Sequence, residues 1–234
     1  MDRTAVITGG TGALGTAVTE RFLDDGYRVV ATWVVKEEAE ALREHLGERD
    51  GRLSLIECDV TDAEDVARAV TEIEANVGPI GVLVHLVGAW RGGTPVHEHK
   101  LDSWDLMMKL NLHSAFLCAR AVLPGMLERD HGRIIFVSSR TAKTGRSGQA
   151  AYAVAKAGVA VLAETIAEET RGTGVTANTV APSTLDTPAN RKMIPGGDPS
   201  KWVTPADLAA SIAYLASDPA GQLRGAWLPV YGSA

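Results

Sequence analysis

The N-terminal part of the chain joins an apolar strand, a glycine-rich turn and a helical segment without interruption. Thr4–Thr8 is apolar and β-branched, glycines follow at positions 9, 10, 12 and 15, and amphipathic periodicity covers 12–25. Glycine lets the backbone turn tightly and approach a ligand closely, and the free N–H groups at a helix N-terminus favour negative charge. A strand followed by such a turn and a helix predicts a site for the pyrophosphate of a dinucleotide.

Strand-like and helix-like segments alternate along the rest of the chain. Strands that are apolar on both faces and separated by amphipathic helices form a parallel sheet covered on both sides. The sequence therefore predicts one α/β domain over 1–234, a Rossmann-type doubly wound parallel sheet of about seven strands with helices on both faces. The predicted strands are 3–8, 28–33, 52–57, 81–87, 132–138, 174–180 and 226–230, and the predicted helices are 12–25, 36–48, 62–77, 100–129, 149–170 and 205–217.

Composition limits the classes of partner. Of the 234 residues, 45% are hydrophobic and 22% charged, which suits one domain with a sizeable core. The net charge of -6 and the lack of a basic cluster argue against a nucleic-acid partner. We expect no signal peptide before the first strand and no apolar run of membrane-spanning length. Cys58 and Cys118 are isolated and are expected to be buried free thiols, so the sequence predicts a cytoplasmic protein without a membrane partner.

The segment 182–204 interrupts the alternation. It carries prolines at 182, 188, 195 and 199 and a Gly196-Gly197 pair, without long helical or strand periodicity. A long irregular stretch inside a compact domain is often a functional lid. We expect a substrate loop or lid at about 183–204, and the alternative is a tolerated surface insertion.

Tyr152 and Lys156 stand four residues apart on a predicted helix, so their side chains share one face. A tyrosine hydroxyl ordinarily has a pKa near ~10, and a fixed ammonium beside it lowers that pKa towards the working range of an acid–base catalyst. Ser139 precedes the tyrosine by thirteen residues, and its hydroxyl can hold a substrate oxygen. Together these residues predict proton transfer to and from a carbonyl or alcohol. Ser138 is the alternative serine, because neighbouring strand residues face opposite sides of a sheet.

These motifs together resemble the short-chain dehydrogenase/reductase family over essentially the whole chain. Thr8-Gly9 with Gly15 resembles the family's cofactor turn, although Ala13 stands where glycine is usual and Gly12 comes one place early. The segment 58–62, Cys-Asp-Val-Thr-Asp, resembles the one whose aspartate contacts the adenine ring.

Three further segments resemble the family, and two of them depart from its usual residues at some positions. The segment 84–88, Val-His-Leu-Val-Gly, stands where the family usually has Asn-Asn-Ala-Gly, and only Gly88 is kept. Asn111 matches an asparagine that helps to hold a water-linked proton path to the lysine. The segment 178–182 resembles the stretch that reaches the nicotinamide, with Ser183 in place of a glycine and Thr187 matching the threonine that meets the carboxamide.

The resemblance implies reversible hydride transfer between C4 of a nicotinamide and a carbonyl or alcohol. It implies that Tyr152 exchanges the proton and that Ser139 hydrogen-bonds the substrate oxygen. Lys156 would lower the tyrosine pKa and bind the nicotinamide ribose, while Asn111 would position a water. The candidate residues for cofactor binding are Gly9, Thr11, Gly12, Ala13, Leu14, Gly15, Trp33, Lys36, Asp59, Val60, Gly88, Tyr152, Lys156, Pro182, Thr184 and Thr187.

A narrower resemblance is to dihydropteridine reductases. It rests on the segments 88–93, 105–109 and 184–192. Animal dihydropteridine reductases lack a serine at the place of Ser139, and this chain has one, so the complete Asn, Ser, Tyr and Lys set favours ordinary carbonyl or alcohol chemistry. A quinonoid dihydropteridine reductase is the alternative function. A non-catalytic nucleotide-sensing regulator is a third reading, disfavoured because such a protein is expected to lose the tyrosine or the lysine.

The end of the second predicted strand bears on the choice between NAD and NADP. An acidic residue there would bind the ribose hydroxyls of NAD. The chain reads Ala-Thr-Trp-Val-Val over 31–35 without an acid, and Lys36 follows closely enough in sequence to meet a 2′-phosphate. The sequence predicts NAD(P)(H) as cofactor and favours NADP(H).

Ser139 and two tryptophans are candidate substrate contacts. Trp90 can stack on a flat substrate such as a pterin or an aromatic ketone, or it can cap the core. Trp202 can close over the substrate or anchor its own loop. His97-Glu98-His99 offers too few ligands for a metal ion, so no metal site is predicted.

The expected partners are a small-molecule carbonyl, alcohol or pterin substrate and further copies of the chain. The predicted helices 100–129 and 149–170 are rich in small apolar residues, and such faces pack closely against a symmetry mate. We therefore expect a homodimer or homotetramer. The small residues at the start of the second helix are Ala150, Ala151, Ala153, Ala155 and Ala157.

Overall fold

Seven parallel strands form one sheet in the computed structural model, which describes residues 3–47 and 49–233. The strand order is β3-β2-β1-β4-β5-β6-β7, so the direction of winding reverses between β1 and β4. This is the predicted doubly wound arrangement, and it is confirmed. The strands are β1 Thr4–Thr8, β2 Arg28–Trp33, β3 Leu53–Glu57, β4 Ile80–His85, β5 Gly132–Val137, β6 Val175–Pro182 and β7 Trp227–Val230.

Eight α-helices connect or follow these strands within the described ranges. Several begin at a residue whose side chain accepts a hydrogen bond from the first turn: Asp62 caps α3, Thr187 caps α7 and Thr204 caps α8. The helices are α1 Ala13–Asp24, α2 Lys36–Leu46, α3 Ala63–Asn76, α4 Leu101–Met108, α5 Ser114–Glu128, α6 Ala150–Glu169, α7 Pro188–Met193 and α8 Pro205–Ala216. Single 3₁₀ turns lie at Arg49–Gly51, Val96–Glu98, Arg140–Ala142, Pro199–Lys201 and Asp218–Ala220.

A π-helical turn at Lys109–His113 divides the predicted helix 100–129 into α4 and α5. Asn111 lies in this turn and is fully buried. Its amide nitrogen donates to Met107 O at 3.0 Å and to Ala89 O at 3.0 Å. In this wider turn the Asn111 side chain hydrogen-bonds to two backbone carbonyls, which fixes its orientation.

The sheet separates two apolar layers. Helices α3, α5 and α6 pack on one face around Val6, Phe136 and Ala177, and helices α1, α2 and α8 pack on the other around Ile7, Val84 and Ile135. Neighbouring strand residues such as Val6 and Ile7 point to opposite layers, as the pleat requires. The strands are therefore apolar on both faces, and the carboxyl ends of the central strands meet at one open edge.

Two helical stretches are long and apolar enough to cross a membrane, contrary to the expectation from the sequence. They are Leu101–Glu128, with a mean hydropathy of 1.2, and Ala150–Glu169, with 1.4. In each, 44% of the apolar window is buried inside the molecule, where it covers the sheet. Packing against the sheet accounts for the buried part of this apolar composition, whereas Phe116, Val154 and Val161 on these stretches are exposed.

The predicted lid segment, 183–204, is partly structured. Leu185 and Val203 form a parallel bridge, and Val203 N–H donates to Thr184 O at 3.0 Å, so the two ends of the segment are joined. Between them lie α7 and the turn at Pro199–Lys201. The segment is therefore a closed loop whose two ends are paired, and its role as a lid stays a prediction.

Candidate active site

A cavity of about 350 Å³ follows the carboxyl ends of β1, β2, β3 and β4. Ligands in open α/β sheets bind where the strand order reverses, and this cavity lies at that point. Most of the residues predicted for cofactor binding line it: Gly9, Thr11, Gly12, Ala13, Leu14, Gly15, Trp33, Asp59, Val60 and Gly88. Six further lining residues belong to segments that the sequence analysis singled out, although they were not named as contacts: Thr32, Val34, Cys58, Thr61, Leu86 and Val87. Glu38 and Leu110 also line the cavity, and the sequence did not indicate them as contacts.

The glycine turn forms a cradle that side chains would fill. Gly9 has a φ of 66°, and a Cβ atom on the buried Gly15 would overlap Gly9 O. Gly12 caps α1 without a side-chain hydrogen bond, and the first turn of the helix holds no acidic residue. The free N–H groups therefore face the cavity in a setting that favours an anion, and the turn fits the pyrophosphate of a dinucleotide.

Asp59 lies on the wall expected to meet the adenine. Its Oδ1 accepts hydrogen bonds from Thr61 Oγ1 at 2.6 Å and Thr61 N at 2.9 Å, and these bonds hold the pKa of the carboxyl below its usual value. A third bond, from Asp59 N to Asp65 Oδ2 at 2.7 Å, fixes the backbone. The carboxylate is charged and immobile at neutral pH.

Glu38 places a carboxylate on the wall beyond β2. Its Oε2 accepts a hydrogen bond from Thr11 Oγ1 at 3.1 Å, which joins the first turn of α2 to the glycine turn. Lys36 does not line the cavity; its Nζ lies 3.6 Å from Glu40 Oε1 and both side chains are exposed. The charge that faces this end of the cavity is therefore negative.

Gly88 connects the cavity with the residues predicted for proton transfer. It lines the cavity, and a Cβ atom on it would lie 2.6 Å from Asn111 Oδ1 and 3.0 Å from Lys156 Nζ. Only glycine leaves room for both groups at this point. Asn111 Oδ1 also accepts a hydrogen bond from Ala89 N at 3.2 Å, so the amide holds the loop after β4 against the π turn.

The Lys156 ammonium lies inside the protein at the end of β5. Lys156 is 6% exposed, and its Nζ donates to Val137 O at 2.9 Å. Burial disfavours the charged form and lowers the pKa of this amine to about 8. The group therefore titrates near the working pH of an acid–base site.

The structure separates the two candidate serines. Ser138 Oγ is buried and donates to Lys156 O at 2.7 Å, so it ties β5 to α6. Ser139 Oγ contacts Thr141 Oγ1 at 3.0 Å and accepts from Thr141 N at 3.3 Å. Burial raises the pKa of the Tyr152 phenol, and a hydrogen-bonding contact with the Ser139 hydroxyl opposes that rise. Lowering of the Tyr152 pKa by Lys156 stays a prediction.

The remaining candidates lie around this group. Trp90 is 42% exposed and packs over Gly92, so it does not cap the core. Trp202 packs against Gly197 inside the loop 183–204, and a contact with substrate stays a prediction. Pro182 is the last residue of β6, and Thr184 and Thr187 follow it; none of the three lines the cavity that holds Asp59.

Residues 3–196 match the family described as short chain dehydrogenase. The chain belongs to the short-chain dehydrogenase family. Gly88 places Asn111 and Lys156 next to the nucleotide cradle, and Ser139 contacts Tyr152. That these four residues have the roles implied by the family resemblance stays a prediction.

Relatives of this short-chain dehydrogenase match it from end to end. An acetoacetyl-CoA reductase of Allochromatium vinosum is 37% identical over 242 residues, which is 99% of this chain and 98% of the relative. A 3-oxoacyl-[acyl-carrier-protein] reductase, MabA, of Mycobacterium bovis is 34% identical, covering 99% and 92%. A D-threitol dehydrogenase of Mycolicibacterium smegmatis is 33% identical, covering 98% and 92%.

Solved structures agree with this short-chain dehydrogenase fold. ElxO with NADP bound superposes with a TM-score of 0.93 at 26% identity, covering 99% of this chain and 98% of that one. Gox2181 superposes with a TM-score of 0.92 at 28% identity, covering 99% and 95%. The protein is thus an NAD(P)-dependent oxidoreductase, and the reading as a non-catalytic sensor is set aside.

Proposed function

We propose that the enzyme transfers hydride between a nicotinamide and a carbonyl or alcohol substrate, with Ser139, Tyr152 and Lys156 handling the proton. The observation that supports this most directly is the position of Gly88, which lines the dinucleotide cavity and lies against both Asn111 and Lys156. The residues proposed for proton transfer therefore lie directly beside the cavity that would hold the nucleotide. The nicotinamide, when bound, supplies or accepts the hydride.

In the reductive direction Tyr152 donates its proton to the carbonyl oxygen. Ser139 donates a hydrogen bond to the same oxygen and stabilises the charge that develops there. Lys156, as a buried cation, favours the phenolate that remains and binds the nicotinamide ribose. Asn111 positions a water that connects Lys156 to solvent, and the Tyr152 phenolate regains its proton along this path.

Among carbonyl compounds, 3-oxoacyl thioesters are the first class to test, because two of the relatives are named as reductases of such substrates. The loops beside Tyr152 and Trp90 carry the exposed cations Arg91, Lys143 and Arg146, which suit a substrate with an anionic carrier. Quinonoid dihydropterin is the second candidate, since the exposed Trp90 ring offers a flat surface for stacking.

Two substitutions test the chemistry over a panel of acetoacetyl-CoA, simple ketones, quinones and quinonoid dihydropterin. Tyr152→Phe is expected to lower kcat by about 10³ or more on every active substrate while the dissociation constant of NADPH stays within about twofold. Near-normal turnover by Tyr152→Phe would overturn the assignment. Ser139→Ala is expected to impair carbonyl reduction by about 10², whereas dihydropterin reduction that survives this change would identify the pterin function.

The proposed cofactor is NADP(H), supported by the NADP-bound ElxO structure and by the lack of an acid in the segment 31–35. Glu38 opposes this preference, because its carboxylate on the cavity wall repels a 2′-phosphate. Dissociation constants of NADPH and NADH for wild type and Glu38→Gln measure both effects. We expect Glu38→Gln to tighten NADPH binding by about tenfold relative to NADH. A wild-type preference of about tenfold for NADH would overturn the choice of NADP(H).

The enzyme is further proposed to be a homodimer or homotetramer of the cytoplasm. Phe116 on α5 and Val154 and Val161 on α6 are exposed by 45%, 47% and 58%, so an apolar face is open for a second copy. Cys58 and Cys118 are both free and buried, which suits a reducing compartment. Sedimentation that shows only a monomer would contradict the assembly.

A further inference from the structure

His85 is a buried histidine that the chemistry proposed above does not use. It is the last residue of β4, is 3% exposed and is not among the residues that line the dinucleotide cavity. Its Nδ1 lies 2.9 Å from Thr8 Oγ1, and its Nε2 lies 3.1 Å from Ser114 Oγ. The ring therefore bridges the end of β1 and the start of α5, directly after the π turn.

The surrounding hydrogen bonds determine which nitrogen carries the proton. Ser114 Oγ donates its hydrogen to Leu110 O at 2.8 Å, so towards His85 it can only accept, and Nε2 must be the protonated nitrogen. Thr8 Oγ1 accepts from Leu86 N at 3.3 Å and is left to donate to Nδ1. The bonds run in one direction, from Leu86 N–H through Thr8, His85 and Ser114 to the Leu110 carbonyl.

Both ends of this chain of hydrogen bonds lie in the cavity wall. Leu86 and Leu110 line the dinucleotide cavity, one after β4 and the other in the π turn. Asn111 follows Leu110 immediately and holds the loop of Ala89 by two hydrogen bonds. The ring of His85 thus connects Thr8, which directly precedes the glycine turn, with the π turn that carries Asn111, through Ser114.

Burial and the nearby charge of Lys156 keep this ring neutral. Desolvation is the larger cause and the Lys156 cation the smaller one, and together they lower the pKa of His85 to about 3. A neutral ring with a fixed tautomer has one donor and one acceptor, and the chain of bonds uses both.

We propose that His85 is a positioning residue that holds the glycine turn and the π turn at the separation needed for dinucleotide binding and for Asn111. The proposal rests on the proposed function, since it assigns His85 to the same site. It differs from a role in stability alone, because it ties the residue to two specific segments of the cavity wall.

Three variants and one matched control test the proposal. His85→Phe keeps a ring of similar size and removes both hydrogen bonds, Ser114→Ala removes one end, and His85→Gln restores a donor towards Ser114. The control is Thr170→Val, which removes buried hydrogen bonds to Ile166 O at 2.8 Å and Val175 O at 3.2 Å at the opposite edge of the sheet. Folding of each variant is checked by circular dichroism, and the dissociation constant of NADPH or NADH is measured by nucleotide fluorescence.

His85→Phe is expected to raise the nucleotide dissociation constant by about tenfold and to lower kcat by about tenfold or more. His85→Gln should recover most of both losses, and Thr170→Val should lower the melting temperature without changing either value. A folded His85→Phe whose binding and kcat stay within twofold of wild type would overturn the proposal. If His85→Phe does not fold, Ser114→Ala provides the same test.

Ring ¹⁵N shifts of His85 in the wild-type protein give an independent readout. The expected signature is a protonated Nε2 and an unprotonated Nδ1 between pH 6 and 8, and the opposite tautomer would overturn the proposal. Wild type that binds no nicotinamide dinucleotide would instead refute the proposed function, and the positioning role with it. If the wild type binds the dinucleotide and turns over substrate, and His85→Phe does so equally well, only the positioning role is refuted.

Discussion

At the scale of single residues, two adjacent serines that follow β5 make different contacts. Ser138 donates to Lys156 O inside the protein, whereas Ser139 contacts Tyr152 and Thr141. Ser138→Ala is expected to lower the free energy of unfolding by about 1–2 kcal/mol with kcat little changed, because a buried acceptor loses one partner. Ser139→Ala should show the reverse, a fall in kcat of about 10² with nearly unchanged stability. Chemical denaturation measures the stability of both variants, and steady-state kinetics measures their kcat. A loss of activity in Ser138→Ala alone would show that Ser138, and not Ser139, is the catalytic serine.

The titration of Lys156 predicts the direction in which kcat/KM changes with pH. Its pKa is lowered to about 8, so the amine loses its charge as the pH rises through that value in the free enzyme. We expect kcat/KM for the nucleotide to be level below about pH 8 and to fall above it by up to tenfold per pH unit. Lys156→Arg should move the break to higher pH, since guanidinium keeps its charge. A profile of the wild type that is flat to pH 10 would show that this charge is not required.

At the scale of elements, the glycines of the turn differ in how well they tolerate replacement by a residue with a side chain. A Cβ atom on Gly15 would overlap Gly9 O and approach Gly10, whereas one on Gly12 would meet only Gly9 O, at 3.6 Å. Gly15→Ala is therefore expected to destabilise the fold by about 2 kcal/mol or more, since the backbone of the turn must move. Gly12 has an ordinary φ of -70°, so Gly12→Ala should leave the melting temperature within a few degrees of wild type. Equal stability of both variants would contradict this assignment.

Elements that are determined by a local sequence pattern can be predicted from the sequence, whereas features that depend on contacts between distant segments cannot. Strands and helices follow from periodicity, and the glycine turn from its place after β1. The π turn is not visible in the sequence, because its apolar pattern continues smoothly from α4 to α5 and only the buried amide of Asn111 marks it. Glu38 and Leu110 line the cavity only because distant segments fold over the same strand ends, and one chain carries no local signal of that.

At the scale of the whole molecule, stability is expected to depend on pH through His85. Its pKa in the folded protein is about 3, below the ordinary 6.5, so between these values the unfolded chain binds more protons than the folded one. The contribution is complete above about pH 6.5 and is lost as the pH falls, with a slope of up to about 1.4 kcal/mol per pH unit. Urea denaturation from pH 7 to pH 4.5 measures the slope, and His85→Phe should reduce it. An unchanged slope in that variant would assign the acid sensitivity to other groups.

The π turn has a consequence for how insertions and deletions are tolerated. Five residues, Lys109–His113, occupy a turn that is wider than the α-helical turns on either side. Removing one of them would leave a regular α-helix and take away the wider turn in which Asn111 is held. Asn111 would then lose its hydrogen bonds to Ala89 in the loop after β4. Length variation should therefore be confined to the loops on either side, such as 89–100, while the count of residues from Leu101 to Glu128 stays constant among working variants of this enzyme.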